Sequence, residues 1–347
     1  MRTSLTLSLS ASALALSVGI AQAQSVDPNL PVYEAASGVS GNLTSIGSDT
    51  LNNLMTLWSE GFRSFYPNVN VQIQGAGSGT APPALIEGTA QFGPMSRAMR
   101  GSEIEDFEAR FGYEPLPLRG AIDGIGVFVH RDNPVECISM QEVDAIFSST
   151  RNGGADEAIT TWGQLGAEGE WADRPIAAYG RNSASGTFGF FRDVALFGGD
   201  FSPEVREQPG SSTVIQGVAA DLGGIGYSGV GYATADVRAL DIRGEDGTCY
   251  TTDDAPSGAY PIARFLFVYM NVDPNETLEP LRAEFVRYVY SQQGQEDVVR
   301  AGFFPVTAQI GEMDLEAFGL NYGFPYQRAG QPVLSCPFEF SLPDRPR

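Results

Sequence analysis

Apolar runs bounded by glycine alternate with stretches of helical periodicity along most of this chain, and that alternation narrows its fold more than any other feature. LTSIG (43–47) and VNVQIQG (69–75) read as strands, the second with an apolar residue at every other position. Between them, TLNNLMTLWSEGFRSFYP spaces its apolar residues as a helix does and stops before Pro67. APPALIEGTAQFGPMS reads as a short helix with early prolines followed by a short strand. GIGVFVH, PIAAYG, GGIGYSGVGY and RFLFVYMNV suit buried strands, whereas SMQEVDAIFSS and LEPLRAEFVRYVYSQQGQEDVVRAG are helical. The pattern implies an α/β architecture with mostly parallel sheets. The stretch GEDGTCYTTDDAPSG (244–258) reads as an exposed loop excursion. With 347 residues, 42% of them hydrophobic and 18% charged, the chain can bury a substantial core in one large or two medium domains.

The first 23 residues are set apart. Arg2, a Leu/Ala-rich stretch and Ala21-Gln22-Ala23 have the form of a secretory signal, cleaved so that the mature chain starts near Gln24. No later run approaches the ~20 apolar residues that a membrane span needs. The expected location is therefore the periplasm. Cys137, Cys249 and Cys336 would meet an oxidising compartment, where three thiols allow at most one internal bridge. A formal net charge of -21 argues against nucleic acid and anionic membrane surfaces as partners. All 21 basic residues are Arg, so lysine Schiff-base chemistry and a Walker-type phosphate lysine are absent.

Three loops share one design. GSDTLNNL (47–54), GAGSGTAPPAL (75–85) and RNSASGTFGFF (181–191) each follow a strand and place Gly with Ser, Thr or Asp just ahead of a helix. A helix start offers unpaired N–H groups and about half a positive charge, so it favours anions. Glycine lets the backbone come close, and hydroxyls add donors. Each loop alone could be a plain N-cap. The third also carries Arg181, whose planar fork matches a tetrahedral oxyanion and stays charged at physiological pH. The three together read as an anion clamp.

At GSDTL with Trp58 downstream, GAGSGT, FGPMSRAM, DAIFSS…TWGQLG, GRNSASGT and GGIGYSGVGYA, the chain resembles, in order, the periplasmic phosphate-binding proteins of phosphate-specific ABC transporters. The resemblance covers about residues 38–310. It implies a periplasmic-binding-protein-like α/β fold: two lobes joined by hinge strands, with inorganic phosphate in the cleft, working as a monomer without cofactor and handing its ligand to an ABC transporter membrane permease. The boundaries it suggests are 31–120 plus 268–347 for lobe I and 121–267 for lobe II. By position, it implies that Asp49 and Thr50 lie at the first helix start and that Ser78 donates from the second. It further implies that Arg181 supplies the charge, and that Ser185, Gly186 and Thr187 donate from the other lobe. Cys137 with Cys249 is the pairing preferred, since both fall in lobe II.

Two positions depart from the family pattern. Ser96-Arg97 stands where an Asp commonly accepts the ligand's proton, and Ser183 stands where an acidic residue is common. Asp49 could take over the proton-reading role or be an N-cap. Arg97 could be a second cation in the cleft, a partner for Asp49, or a surface residue. A phosphatase on the same scaffold, and a binder of sulfate, molybdate or arsenate, are the alternative functions. The phosphatase would need an activated nucleophile or metal-bound water, and neither a Ser–His pairing nor a metal-ligand spacing is evident. His130 ends a strand and reads as structural. GIGYSG (224–229) lacks the following helix that a dinucleotide site requires.

Overall fold

The structure, a computed structural model, describes residues 25–320. The signal segment, Cys336 and the tail therefore lie outside the described residues. In chain order the elements are β1 (Gly41–Ile46), α1 (Asn52–Phe65), β2 (Val69–Gln74), α2 (Ala81–Ile86), β3 (Gly93–Met95), α3 (Gly101–Phe111), β4 (Leu116–His130), β5 (Cys137–Ser139) and α4 (Met140–Phe147). There follow β6 (Ala177–Arg181), α5 (Gly186–Ala195), β7 (Arg206–Gln208), α6 (Ser211–Ala220), β8 (Gly224–Gly229), β9 (Val237–Arg243) and β10 (Cys249–Tyr250). The described chain closes with β11 (Ala263–Met270), α7 (Pro280–Val289), α8 (Gln292–Arg300) and α9 (Ala308–Ala317).

Local sequence accounts for most of these. Helix α1 buries Leu54, Met55, Trp58 and Phe62, one stripe at helical spacing, and the Trp58 indole donates to the Gly294 carbonyl at 2.8 Å. The helix ends at Tyr66, because the residue before a proline is pushed out of the helical region. Strands β1 and β2 pair in parallel through their full length, with α1 crossing between them.

Strand β4 organises the molecule. Its first part, Leu116–Gly124, pairs with β11; its last part, Ile125–His130, pairs with β8 and β9. The partners change at Gly124–Ile125, where the buried Tyr260 hydroxyl donates to the Ile125 carbonyl at 2.8 Å. This crossing separates two lobes. By strand pairing, β3 and β11 go with the first part of β4 on one side, and β5 to β10 with its last part on the other. A continuous apolar core runs through both.

Three expectations need correction. The sheets are not mostly parallel: β1–β2, β5–β9, β6–β7 and β6–β8 are parallel, but β4 is antiparallel to β8, β9 and β11, as β11 is to β3 and β10 to β9. The chain leaves the first lobe along β4 and returns along β11, so the connecting strands must run in opposite senses. The long helical stretch after residue 278 is two helices. Ser291 caps α8 by accepting the Gly294 N–H at 3.1 Å, and a Cβ on Gly294 would stand 2.0 Å from the Tyr288 carbonyl oxygen, so the chain turns sharply there. Residues 244–258 are not a bare loop; they contain β10 and a 3₁₀ turn over Thr252–Ser257. The Cys137–Cys249 disulfide, the expected pairing, ties β5 to β10 across β9 with its Cα atoms 6.2 Å apart. Among the described residues no helix is long and apolar enough to cross a membrane.

Candidate functional site

The three Gly/Ser/Thr loops, far apart in sequence, converge where the lobes meet. Thr50 follows β1, Ser78 follows β2, Ser96 follows β3, and Thr187 lies in the first turn of α5; all four are buried. Thr50 Oγ1 and Thr187 Oγ1 are 2.9 Å apart across the cleft. Ser96 Oγ lies 3.4 Å from Thr187 Oγ1 and 3.3 Å from Ser78 Oγ. Ser185 caps α5, its Oγ accepting the N–H groups of Thr187 at 3.1 Å and Phe188 at 3.4 Å. Gly186 opens the helix because nothing larger fits: a Cβ there would lie 2.3 Å from Ser78 Oγ and 2.7 Å from Ser96 Oγ. Gly77 is likewise required, with φ of 116° and the Ala184 carbonyl of the other lobe 2.5 Å from where its Cβ would be.

Arg181 ends β6 and is only 2% exposed. Its Nη1 donates to Ser211 Oγ at 2.7 Å and its Nη2 to the Pro209 carbonyl at 3.3 Å, and Nη2 stands 3.2 Å from Asp49 Oδ2. Its Nε–H is buried and has no partner within the protein. Burial pushes its pKa down and Asp49 opposes this; a guanidinium starting from so high a value remains charged.

Asp49 is not an N-cap for α1, whose cap position is Leu51. Its carboxylate reaches into the second lobe, where Oδ2 accepts the Ser211 N–H at 2.8 Å at the start of α6, an electrostatically favourable place for a negative charge. The Tyr232 hydroxyl donates to the carbonyls of Asp49 and Thr50 at 2.9 and 3.1 Å, fixing the same turn from the second lobe.

Arg97 does not hold Asp49, and it is not a surface residue. It is buried, and its two terminal nitrogens grip Glu103 at 2.7 Å each, with a further bond to the Ala98 carbonyl. Glu103 also accepts the Arg100 N–H at the start of α3, so Arg97 is committed to anchoring that helix. The aliphatic stem of Arg97 passes beside Gly189 of α5.

Two residues that sequence reasoning missed lie beside the hydroxyl cluster. Arg264 of β11 and Asp123 of β4 face each other across the strand pair, and both are buried. Arg264 Nε and Nη2 donate to Asp123 Oδ2 at 3.0 and 2.7 Å; Nη1 bonds the Ser96 carbonyl, and Nη2 also reaches Thr187 Oγ1 at 2.9 Å. Burial lowers the pKa of Arg264 and Asp123 counters it. A signal did exist: an arginine and an aspartate inside two apolar strands must be partnered to be tolerated there. His130 sits away from these groups at the end of β4, with Nδ1 accepting the Asp132 N–H. Among the described residues no group of three or more His, Cys, Asp and Glu is placed to hold a metal ion. The arrangement is a set of short-range donors with a buried cation, Arg181, that keeps an unpartnered N–H, and it is suited to an oxyanion.

Comparison with known proteins agrees with that architecture. Residues 33–293 match a family model described as the PBP superfamily domain. The phosphate-binding protein PstS of Pseudomonas aeruginosa is 51% identical over 299 residues, which is 85% of this chain and 93% of the relative. The protein of the same name from Bacillus subtilis is 30% identical over 77% of this chain and 82% of its own. The crystal structure of an ABC-type phosphate transport receptor from Vibrio cholerae shares the fold, with a TM-score of 0.60 at 21% identity over 76% of this chain and 100% of that one.

Proposed function

The chain belongs to the PBP superfamily, and from that membership we propose that it binds inorganic phosphate between its two lobes and delivers it to the membrane permease of an ABC transporter. The observation that carries this reading is Arg181: a buried guanidinium with its Nε–H unpartnered by the protein and its Nη2 3.2 Å from Asp49, the residue that precedes Thr50 of the hydroxyl cluster. In this reading Thr50, Ser78, Ser96, Ser185, Gly186 and Thr187 supply N–H and O–H donors, and Arg181 supplies charge. Asp49 clasps the second lobe, and Arg97 holds the wall behind Ser96. The curated relatives that support the reading are named as binding proteins, not enzymes.

The mechanism is lobe closure. Each lobe holds part of the contact set, so the ligand favours the closed arrangement by its differential affinity for it. The net charge of -21 does not oppose capture, since surface charges are screened beyond about 8 Å at physiological salt while the donors act in direct contact. The protein works as an exported monomer, its leader removed.

The deciding experiment is calorimetric titration of the mature protein with phosphate, arsenate and sulfate at two pH values, one on each side of the second ionisation of phosphate. Tight phosphate binding with weak sulfate binding is expected; the reverse preference assigns the site to a fully ionised oxyanion. A phosphomonoester assay with added divalent metals, expected to show no turnover, separates the enzyme alternative.

A further inference from the structure

The hydroxyls at the site are not free rotors. A guanidinium nitrogen can only donate, so the 2.9 Å contact from Arg264 Nη2 makes Thr187 Oγ1 an acceptor on that side. The Thr187 hydrogen must therefore point elsewhere, and its other oxygen neighbours are Thr50 Oγ1 and Ser96 Oγ, the cross-cleft cluster itself. The same logic holds behind two neighbours: Ser78 Oγ accepts the Ser96 N–H at 3.0 Å, and Ser185 Oγ accepts two backbone N–H groups. Arg264 differs from these backbone donors in carrying charge, and that charge is balanced in place. Asp123 takes Arg264 Nε and Nη2 on Oδ2 and the Val230 N–H at 3.0 Å on Oδ1. The Phe190 ring covers the guanidinium, with 5.5 Å between Cζ and the ring centroid.

We propose that Arg264 is a positioning residue for anion binding: it fixes the Thr187 hydroxyl as a donor toward the ligand, while Asp123 cancels its charge so that the pair adds direction without adding net charge. This rests on the phosphate reading above. It also assigns the two arginines different work, Arg181 providing attraction and Arg264 providing orientation.

The test is a double-mutant cycle read by phosphate calorimetry on the mature protein, with thermal melts to verify folding. Replacing Arg264 alone would strand the Asp123 charge, so the pair is exchanged together as Asp123→Asn/Arg264→Gln, with and without Thr187→Val. The exchange should weaken phosphate binding by about tenfold or more when Thr187 is present, and by less than about threefold when Val already occupies that position, because contacting groups are non-additive. Losses that multiply in full in the Thr187→Val background would overturn the proposal, placing Arg264 in contact with the anion or in a purely structural role. Wild-type affinity in the exchanged pair would overturn it equally. Should the exchange not fold, Arg264→Lys keeps the charge but loses the fork that reaches Asp123 and Thr187 together, and the same cycle is read the same way. Failure of the unmutated protein to bind phosphate would instead refute the underlying reading, before any variant is made.

Discussion

Three residues at the lobe junction can be tested separately. Arg181→Ala removes a buried guanidinium at the lobe junction that offers an unpartnered N–H, and phosphate affinity should fall by at least a hundredfold, on the order of the 3 kcal/mol expected for a charge-assisted hydrogen bond; calorimetry reads this directly. Asp49→Asn keeps an acceptor for the Ser211 N–H but removes the charge facing Arg181. It should weaken binding about tenfold, by loosening the clasp between lobes, with the loss read from the dissociation rate in stopped flow. Gly186→Ala should abolish binding while leaving the melting temperature of the free protein nearly unchanged, because its new methyl would collide with Ser78 and Ser96 of the opposite lobe rather than with its own. These loops were legible in the sequence because glycine and small hydroxyl residues ahead of a helix form a local signature. Arg264 and Asp123 were not, since their meaning depends on strand register between positions 141 apart.

At the level of elements, α3 shows how a residue expected at the site serves a helix instead. Burial tends to raise the pKa of Glu103, but the Arg97 side chain and the Arg100 N–H outweigh it and hold the carboxyl below its ordinary 4.5. A carboxyl depressed in the folded state stabilises above its unfolded pKa, and loses that contribution as pH falls through the folded value. Glu103→Gln should thus cost about 1–2 kcal/mol at neutral pH, as for a hydrogen bond to a charged group. The gap from wild type should close as urea melts are repeated at successively lower pH, below the ordinary carboxyl value. Periodicity found α1, α4 and the β1–β2 pair, but it ran α7 and α8 together, because the break at Ser291 is written in a steric contact of Gly294 rather than in the apolar pattern. It also read only the last part of β4, since Arg119 and Asp123 interrupt the apolar run from which a strand is recognised.

For the molecule as a whole, the disulfide and the second lobe's share of the site lie in different parts of that lobe, on opposite sides of β4 in the sheet. Cys137–Cys249 closes a segment 112 residues long at the β5, β9 and β10 edge, a loop length for which cross-linking stabilises by about 5 kcal/mol. Reduction should lower the melting temperature markedly yet leave phosphate affinity unchanged well below the transition, as differential scanning calorimetry and titration in dithiothreitol would show. The order of the elements could be anticipated from alternation and glycine, and the two lobes from the family resemblance, but the antiparallel crossing could not, because strand direction is set by which lobe each strand must reach. That crossing has a mechanical corollary. The part of β4 beyond Gly124 is an arm roughly 20 Å long, so a swing of about 10° at its pivot carries its far end, at His130, by roughly 3.5 Å, while the hydroxyl cluster, tied through Arg264 to Asp123 beside the pivot, moves by much less. A small angular travel is therefore magnified away from the site. Small-angle scattering would barely register it, whereas a pair of distance probes placed near the rim would.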